Sequence, residues 1–195
     1  MKVNEKIAIW GTKIILVPYK IYHVEKYHQW MKDQELQELT ASEPLTLEQE
    51  YEMQQSWLED DDKCTFIVLD KEDMKQKSEL DSMIGDVNLF LNNPENLKQG
   101  EVEVMIAEEC KRGQGKGKEA LLFMLRYGIE QLQVTSFIAK VKMKNLASKN
   151  MFERIGFKEI SQSDIFEELT LQLVVTEEWL SWLLSQTKCY HIHVY

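Results

Sequence analysis

Short apolar segments separated by turn-forming residues predict β-strands along most of the chain. Apolar runs, unbroken or alternating with polar residues, occupy residues 13–19, 65–70, 84–91, 101–107, 136–142, 156–161 and 168–175. The three runs between residues 65 and 107 are joined by turn-rich segments, which predicts an antiparallel meander. Within that meander, the polar stretch 70–82 is interpreted as a hairpin loop.

Apolar residues at helical spacing predict helices between these strands. In residues 21–33 the apolar positions share one helical face. A second helix is expected to begin at Thr46, because Gln49 follows it in capping-box register. Helical spacing also marks residues 117–132, 146–155 and 176–186, whereas residues 187–195 receive no assignment.

The order of these elements predicts an α+β fold. A strand is followed by two helices, three strands, a helix, a strand, a helix and two strands, which is typical of a mixed, mostly antiparallel central sheet with helices on both faces. The 195 residues, 44% of them hydrophobic, suffice to bury one core without a second domain. We therefore predict a single domain over residues 1–195.

Charge and cysteine usage narrow the classes of partner. The formal net charge of −10 disfavours nucleic acid, which requires a basic face, but suits a cationic acceptor such as a lysine or a free amino terminus. Cys64, Cys110 and Cys189 have neither disulfide-framework nor metal-site spacing, and no apolar run approaches the ~18 residues of a membrane span. We expect no metal, no membrane contact and a cytoplasmic or nucleocytoplasmic location.

One basic segment contrasts with this acidity. Residues 111–118, KRGQGKGK, lie between a predicted strand and a predicted helix. Glycines there permit a tight turn with inward N–H groups, and the helix start adds partial positive charge, so the segment could hold a pyrophosphate. A flexible, solvated turn is the alternative. The segment is not a Walker A loop, and Ala120 breaks the dinucleotide fingerprint.

A second segment supports the phosphate-binding interpretation. Residues 145–157, NLASKNMFERIGF, follow the basic segment after one helix and one strand. The strand–RxxGxG–helix unit and the pattern N-x-x-S-x-x-[LM]-[YF]-E-[KR]-x-G-F together resemble the two signature segments of the GNAT superfamily of acetyl-CoA-dependent N-acetyltransferases. The resemblance covers about residues 13–176. It implies the GNAT fold over that core, followed by a C-terminal helix and tail at 177–195, and acetyl-CoA as cosubstrate.

The resemblance also implies which residues hold the cosubstrate. The backbone of Met105, Ile106 and Ala107 would pair with the pantetheine arm, and an amide near Met105 or Ile106 would hold the oxyanion. The pyrophosphate would lie on Arg112, Gly113, Gln114, Gly115, Lys116 and Gly117. Asn145 would contact the cosubstrate, cap the following helix, or both. Lys111, Lys116 and Lys118 would add charge, although a solvated position is the preferred interpretation of Lys118.

Two glutamates are candidates for the catalytic base. An amine must be neutral to attack a thioester, so a group must accept its proton. Alternation along the strand places Glu101 and Glu103 on one face, opposite Val102 and Val104. The resemblance favours Glu101, which falls where lysine-acetylating members carry their glutamate. An ordinary solvated strand face is the alternative for both.

One residue departs from the family pattern. Many members have a tyrosine that protonates the departing thiolate, where this chain has Phe152. That substitution leaves open a catalytically weak scaffold that binds a partner, beside an active enzyme.

The acceptor is constrained by resemblance alone. Residues 17–33, 40–57, 62–70, 85–91 and 101–108 resemble one eukaryotic branch of the superfamily, which implies a cytosolic protein linked to microtubules, with tubulin as a proposed acceptor. Asp164, Glu167 and Glu168 lie where members often meet the acceptor, or are ordinary loop residues. Lysine, amino-terminal and small-molecule amines all remain open as acceptors.

Overall fold

One continuous sheet organises the protein, and a computed structural model describes residues 2–195 of it. Within that range the sheet has nine strands: β1 (Ile7–Trp10), β2 (Ile14–Pro18), β3 (Lys63–Asp70), β4 (Met83–Phe90), β5 (Gln99–Ile106), β6 (Ser136–Lys142), β7 (Lys158–Ser163), β8 (Glu168–Val174) and β9 (His191–Val194). Their spatial order is β7-β8-β6-β5-β4-β3-β2-β1-β9. The β5–β6 pair is parallel and the other described neighbours are antiparallel, which confirms the predicted mixed, mostly antiparallel sheet.

Helices cover both faces of this sheet, as predicted. They are α1 (Val24–Trp30), α2 (Gln34–Thr40), α3 (Leu47–Glu59), α4 (Glu79–Ser82), α5 (Lys116–Leu132), α6 (Leu146–Ile155) and α7 (Glu177–Gln186). The predicted capping box begins α3, because the Gln49 amide donates to the Thr46 side chain and the Thr46 amide donates to the Gln49 side chain. Within residues 2–195, no helix combines the length and apolar character needed to cross a membrane.

Successive side chains along the strands point alternately into two separate hydrophobic cores, one on each face of the sheet. In β3, Phe66 and Val68 point to the core beneath α5, α6 and α7, whereas Ile67 and Leu69 point to the core beneath α1, α2 and α3. Every residue of β3 is buried, so this strand is covered on both faces. The sheet therefore forms the middle layer of the fold.

The structure adds elements that the sequence pattern did not predict. These are β1, α2, β9 and the short α4 in the segment interpreted as a loop. The β9 strand pairs with β1 from Ile7↔Val194 to Trp10↔His191, and all its side chains are exposed. Polar and apolar residues alternate over only these four positions and neither face is buried, so the pairing with the distant β1 identifies the strand.

The parallel pair β5–β6 separates partway along its length. Pairing joins Gln99 to Ser136, Gly100 to Phe137 and Glu101 to Ile138, and no pairing of these two strands is found beyond Glu101 within the described chain. On its other side β6 continues to pair with β8 as far as Lys142. A wedge-shaped gap therefore opens in the sheet beside the second half of β5.

Removing the Tyr195 hydroxyl should destabilise the attachment of β9. Its Oη donates to Glu79 Oε1 at 2.6 Å, and the same carboxylate lies 2.8 Å from Nε2 of the buried His23. We expect Tyr195→Phe to lower the free energy of unfolding by about 1 kcal/mol, the typical net value of one such bond. Urea denaturation measures this. His191→Ala, an exposed change within β9, should stay within about 0.5 kcal/mol, and an equal loss in both variants would contradict the prediction.

Candidate functional site

A cleft of about 840 Å³ opens where β5 and β6 separate. The predicted site residues line this cleft, except for Ala107 and Gln114. Tyr27 and Leu36, from the helices over this face of the sheet, close the cleft from above, and Met151 and Phe152 of α6 form its far wall. The structure thus brings together residues that are far apart in sequence.

The loop between β5 and α5 presents an array of backbone amides. Gly113 and Gly115 have φ angles of +70° and +79°, the left-handed region in which side chains other than glycine are strained. Gly115 is the N-cap of α5, which begins at Lys116. The amides of residues 113–118 have no hydrogen-bond partner within residues 2–195. Free amides beside a helix N-terminus form an anion cradle, so these residues fit the diphosphate of coenzyme A.

Most of the basic side chains of this loop bind the protein itself. Lys111 and Lys116 both contact Asp70 Oδ2, at 2.9 and 2.5 Å, and Lys111 also contacts Asp73 at 2.7 Å. Arg112 donates to the carbonyls of Ile106 and Ala107 at 2.8 and 3.2 Å. These cations anchor the loop to the ends of β3 and β5. The cradle itself is therefore built from amides, and Lys118 stands exposed on the cleft wall.

Asp70 is the centre of this anchor, and sequence reasoning did not identify it. Its side chain is 1% exposed. Burial alone would raise the pKa of Asp70, but hydrogen bonds from Lys116 and Lys111 outweigh that effect and hold the pKa well below the usual range of a carboxyl group. The residue lies more than forty positions before the loop, so local sequence carries no sign of the contact.

A second missed anchor fixes the far side of the loop. Glu119 of α5 accepts the amides of Thr12 and Lys13 at 2.8 and 2.9 Å, which holds the turn between β1 and β2 against the helix. From that turn, Lys13 Nζ donates to the Gln114 carbonyl at 2.6 Å. The Gln114 carbonyl is thereby tied to the turn between β1 and β2.

Backbone directions along β5 show which groups face the gap. The Thr135 amide donates to the Lys98 carbonyl, and Arg112 donates to that of Ile106, whereas the Ala107 amide donates to the carbonyl of Ile84 in β4. Because backbone groups of alternate residues in a strand point to the same side, even-numbered residues of β5 face β6 and odd-numbered ones face β4. Val104, which sequence reasoning did not single out, therefore offers its N–H and C=O to the gap, while Met105 and Ala107 are directed to β4.

The two candidate bases have different surroundings on the floor of the cleft. Glu101 accepts an ion-pair contact from Lys140 of β6 at 2.9 Å. The side chain of Glu103 is exposed to the solvent in the cleft, and the cleft walls shield it from the surrounding bulk water. That shielding is the main cause that raises the pKa of Glu103 to about 7, with Asp86 and Glu101 adding to it and Lys63 opposing it. Glu103 is thus poised to exchange a proton near neutral pH.

The second signature segment forms α6 and its caps. Asn145 is the N-cap, and its Oδ1 accepts the Ser148 amide at 3.1 Å while the residue also lines the cleft. Gly156, at a φ of +114°, ends the helix. Phe152 is 3% exposed and packs edge-on against Phe157, with ring centroids 5.0 Å apart. Phe152 therefore contributes an apolar wall without a proton donor.

The acidic segment after β7 reaches the edge of the same cleft. Glu168 lines the cleft and pairs with Lys142 at 3.0 Å, and Lys142 also donates to the Phe166 carbonyl at 2.8 Å. Glu168 is therefore part of the cleft, whereas Asp164 and Glu167 are not among its lining residues within the described chain.

Comparison with known proteins agrees with this geometry. The sequence model of the acetyltransferase (GNAT) domain matches residues 13–158. The chain is 52% identical over 191 residues to the human protein named alpha/beta-tubulin-N-acetyltransferase 9, covering 96% of this chain and 92% of that protein. It is 54% identical over 174 residues to an N-acetyltransferase 9-like protein of Nematostella vectensis, covering 88% of each. The Vibrio cholerae spermidine N-acetyltransferase, solved with CoA and spermine, shares the fold with a TM-score of 0.73 at 18% identity, covering 86% of this chain and 98% of that one.

Neutralising Asp70 should loosen the cradle in a pH-dependent way. Asp70→Asn removes the carboxylate that the two partly buried ammonium groups share, while Lys111 keeps its contact with Asp73, so we expect a loss of about 2 kcal/mol in unfolding free energy at pH 7. Because the folded-state pKa of Asp70 is depressed, its stabilisation is present above the unfolded value and is lost as pH falls through the folded one. Denaturation at several pH values should show the difference from wild type shrinking below about pH 4. The exposed neighbour change Glu72→Gln should have little effect at any pH.

Adding a side chain at the N-cap of α5 should weaken coenzyme binding. A Cβ at Gly115 would lie in a strained left-handed position and 3.0 Å from Lys13 Nζ. We expect Gly115→Ala to raise the Kd for CoA about tenfold in isothermal titration calorimetry. Gly156→Ala carries the same kind of strain outside the cleft and should lower stability without changing the Kd. An unchanged Kd in Gly115→Ala would mean that the amides there do not hold the coenzyme.

Proposed function

The chain belongs to the GNAT family of acetyltransferases, and we propose that it transfers the acetyl group of acetyl-CoA to an amine of a protein, with tubulin as the acceptor. The observation that carries the proposal is the presence of the amide cradle and of Glu103 in one cleft. The acceptor is suggested by the human and mouse relatives, 52% and 50% identical, which are named alpha/beta-tubulin-N-acetyltransferase 9.

The proposed mechanism is direct transfer within the gap between β5 and β6. Acetyl-CoA, when bound, supplies an acetyl thioester. The amides of residues 113–118 would hold its diphosphate, and the backbone of Val104 would hydrogen-bond along the gap and polarise the acyl oxygen. Glu103 would accept the proton that the acceptor ammonium must lose before its nitrogen can attack. The neutral amine nitrogen would then form the new bond to the acyl carbon as the bond from carbon to sulfur breaks, and the nitrogen would lose its surplus proton to solvent while the departing coenzyme A thiolate takes one from solvent.

The pKa of Glu103 favours an amino-terminal acceptor over a lysine. An α-amino group has a reference pKa of ~7.7, within about one unit of the value of about 7 for Glu103. A lysine at ~10.4 would transfer its proton to the same carboxylate against a difference of about three units. The carboxylates of Glu101, Glu103 and Glu168 also suit a cationic group arriving at this end of the cleft.

The absence of a hydroxyl at position 152 favours a second candidate function. In this alternative the protein binds microtubules as an interaction partner and transfers acetyl groups weakly, because Phe152 cannot protonate the departing thiolate. Solvent would then have to supply that proton. The two functions differ in turnover, not in coenzyme binding.

Substituting the two glutamates separately tests the mechanism and the acceptor. With tubulin dimers, and with tubulin amino-terminal peptides whose lysines are blocked, we expect Glu103→Gln to lower kcat/KM at least about 100-fold and Glu101→Gln less than about tenfold. Mass spectrometry of the acetylated products measures both rates and the modified position. The Kd for CoA in each variant is the control and should match wild type.

Two outcomes would contradict the proposal. Tight CoA binding without acetylation of any tubulin amine would favour the interaction protein over the enzyme. Acetylation of tubulin lysines alone, with free amino termini unmodified, would remove the preference for an amino-terminal acceptor while leaving the transferase in place.

A further inference from the structure

A buried lysine lies on the floor of the cleft among the carboxylates. Lys63 of β3 is 3% exposed, and its Nζ lies 3.3 Å from the ring centroid of Trp57 and 3.8 Å from that of Phe90. Two aromatic rings at these distances attract an ammonium group and hold it in place. The residue has no part in the cradle or in the mechanism described so far.

Strand register places this lysine on the same face as the candidate base. Lys63 is the cross-strand partner of Phe90, and Phe90 is the partner of Glu101. Cross-strand partners point to the same face of a sheet, and so do residues two apart on one strand. Lys63, Glu101 and Glu103 therefore share one face, and all three line the cleft.

A hydrogen-bonded network fixes a further carboxylate beside them. Asp86, 2% exposed, accepts the Asn88 side-chain amide at 2.8 Å and the Tyr27 hydroxyl at 3.3 Å. Asn88 in turn accepts the Thr65 hydroxyl at 2.6 Å, and it is the cross-strand partner of Glu103. Asp86 is thus held in place two residues from the position opposite Glu103.

We propose that Lys63 is a positioning residue of the acetyltransferase cleft, where its ammonium group is the counter-ion that keeps Glu103 in the carboxylate form. The inference rests on the proposed function, because it concerns the base of that reaction. In this role Lys63 acts through its charge and contacts neither the acceptor nor the coenzyme.

The charges that face Glu103 come from every element around it. Asp86 of β4 and Glu101 of its own strand favour the protonated form, whereas Lys63 of β3 and Lys140 of β6 favour the carboxylate. Lys140 is already paired with Glu101, and the Tyr27 hydroxyl of α1 is bonded to Asp86. Lys63 is consequently the cation best placed to balance Glu103 itself.

The protonation states of the cluster agree with this assignment. Burial lowers the pKa of Lys63 to about 8, while the charges of Glu103 and Asp86 oppose that shift. Burial raises the pKa of Asp86 to about 6, against hydrogen bonding by Asn88 and the charge of Lys63. At pH 7 the lysine is therefore mostly charged, and its ammonium opposes proton binding by both carboxyl groups.

The test replaces Lys63 by methionine, which has a similar length and packs between aromatic rings. Methionine fills the space between the two rings, and the carboxyl groups of Asp86 and Glu103 can bind protons once the ammonium is removed, so Lys63→Met should remain folded, although at lower stability. Without the ammonium, Glu103 binds its proton more tightly, and we expect its titration midpoint to rise from about 7 by about one pH unit. Carbon-13 NMR of the Glu103 carboxyl group, assigned with Glu103→Gln, measures this midpoint without coenzyme or acceptor.

The same shift should appear in the pH dependence of kcat/KM. The acid limb should move up by about one unit, so that the rate falls about ninefold at pH 6 and recovers nearly fully by pH 9. Lys63→Arg retains the charge and should keep the wild-type midpoint. Asp86→Asn removes a negative charge and should move the midpoint in the opposite direction. The acceptor titrates identically in all variants, so differences between them report the enzyme.

The two measurements separate the inference from the proposed function. A shifted NMR midpoint in a protein that acetylates nothing would support the role of Lys63 and contradict the transferase assignment. An unmoved midpoint in a folded Lys63→Met protein would overturn the inference, whatever its activity. So would an equal shift in Lys63→Arg, because loss of packing rather than of charge would then be responsible.

Discussion

The early end of pairing between β5 and β6 is the constraint on which the rest of the structure depends. A parallel pair would normally continue, because unpaired backbone N–H and C=O groups inside a protein are costly. Here pairing ends at Glu101, so among residues 2–195 the even-numbered residues that follow have no strand partner on that side. The Ile106 carbonyl is instead bonded to Arg112. The remaining unpaired backbone groups face a cleft that water or a ligand can enter.

Keeping such a gap open requires anchors on both sides. On one side, β6 is held along its whole length by β8. On the other, the loop after β5 is tied to Asp70 through Lys111 and Lys116, and to the turn between β1 and β2 through Lys13. These ties use the positive charges of a loop that looks, in sequence, like a set of free cations. The loop is therefore rigid where it presents its amides, which reduces the ordering cost of binding an anion.

The floor of the cleft is built from ionisable side chains, whereas the cradle is built from backbone amides. Lys63, Asp86 and Glu103 lie there, and their pKa values are all near neutral pH. Burial shifts each pKa toward neutrality, and neighbouring groups oppose part of that shift. Clusters of this kind are typical of catalytic sites, where a group must exchange protons at working pH. The free amides and the ionisable groups are thus separated along β5, with the amides beyond its end and the carboxylates nearer its start.

Much of the fold and part of the site could be predicted from sequence, because some features leave local patterns. Apolar periodicity identified most strands and helices, the capping box identified the start of α3, and the glycine-rich segment indicated the tight turn that precedes α5. Alternation placed Glu101 and Glu103 on one face. Only the tertiary structure decided what depends on contacts between distant residues: the β9–β1 pairing, the Asp70 anchor, the direction of the Val104 backbone and the place of Lys63 on the face of the sheet that carries Glu103. Apolar periodicity shows which face of a helix or strand is buried, but no local pattern in the sequence shows which charged side chains come together across the sheet.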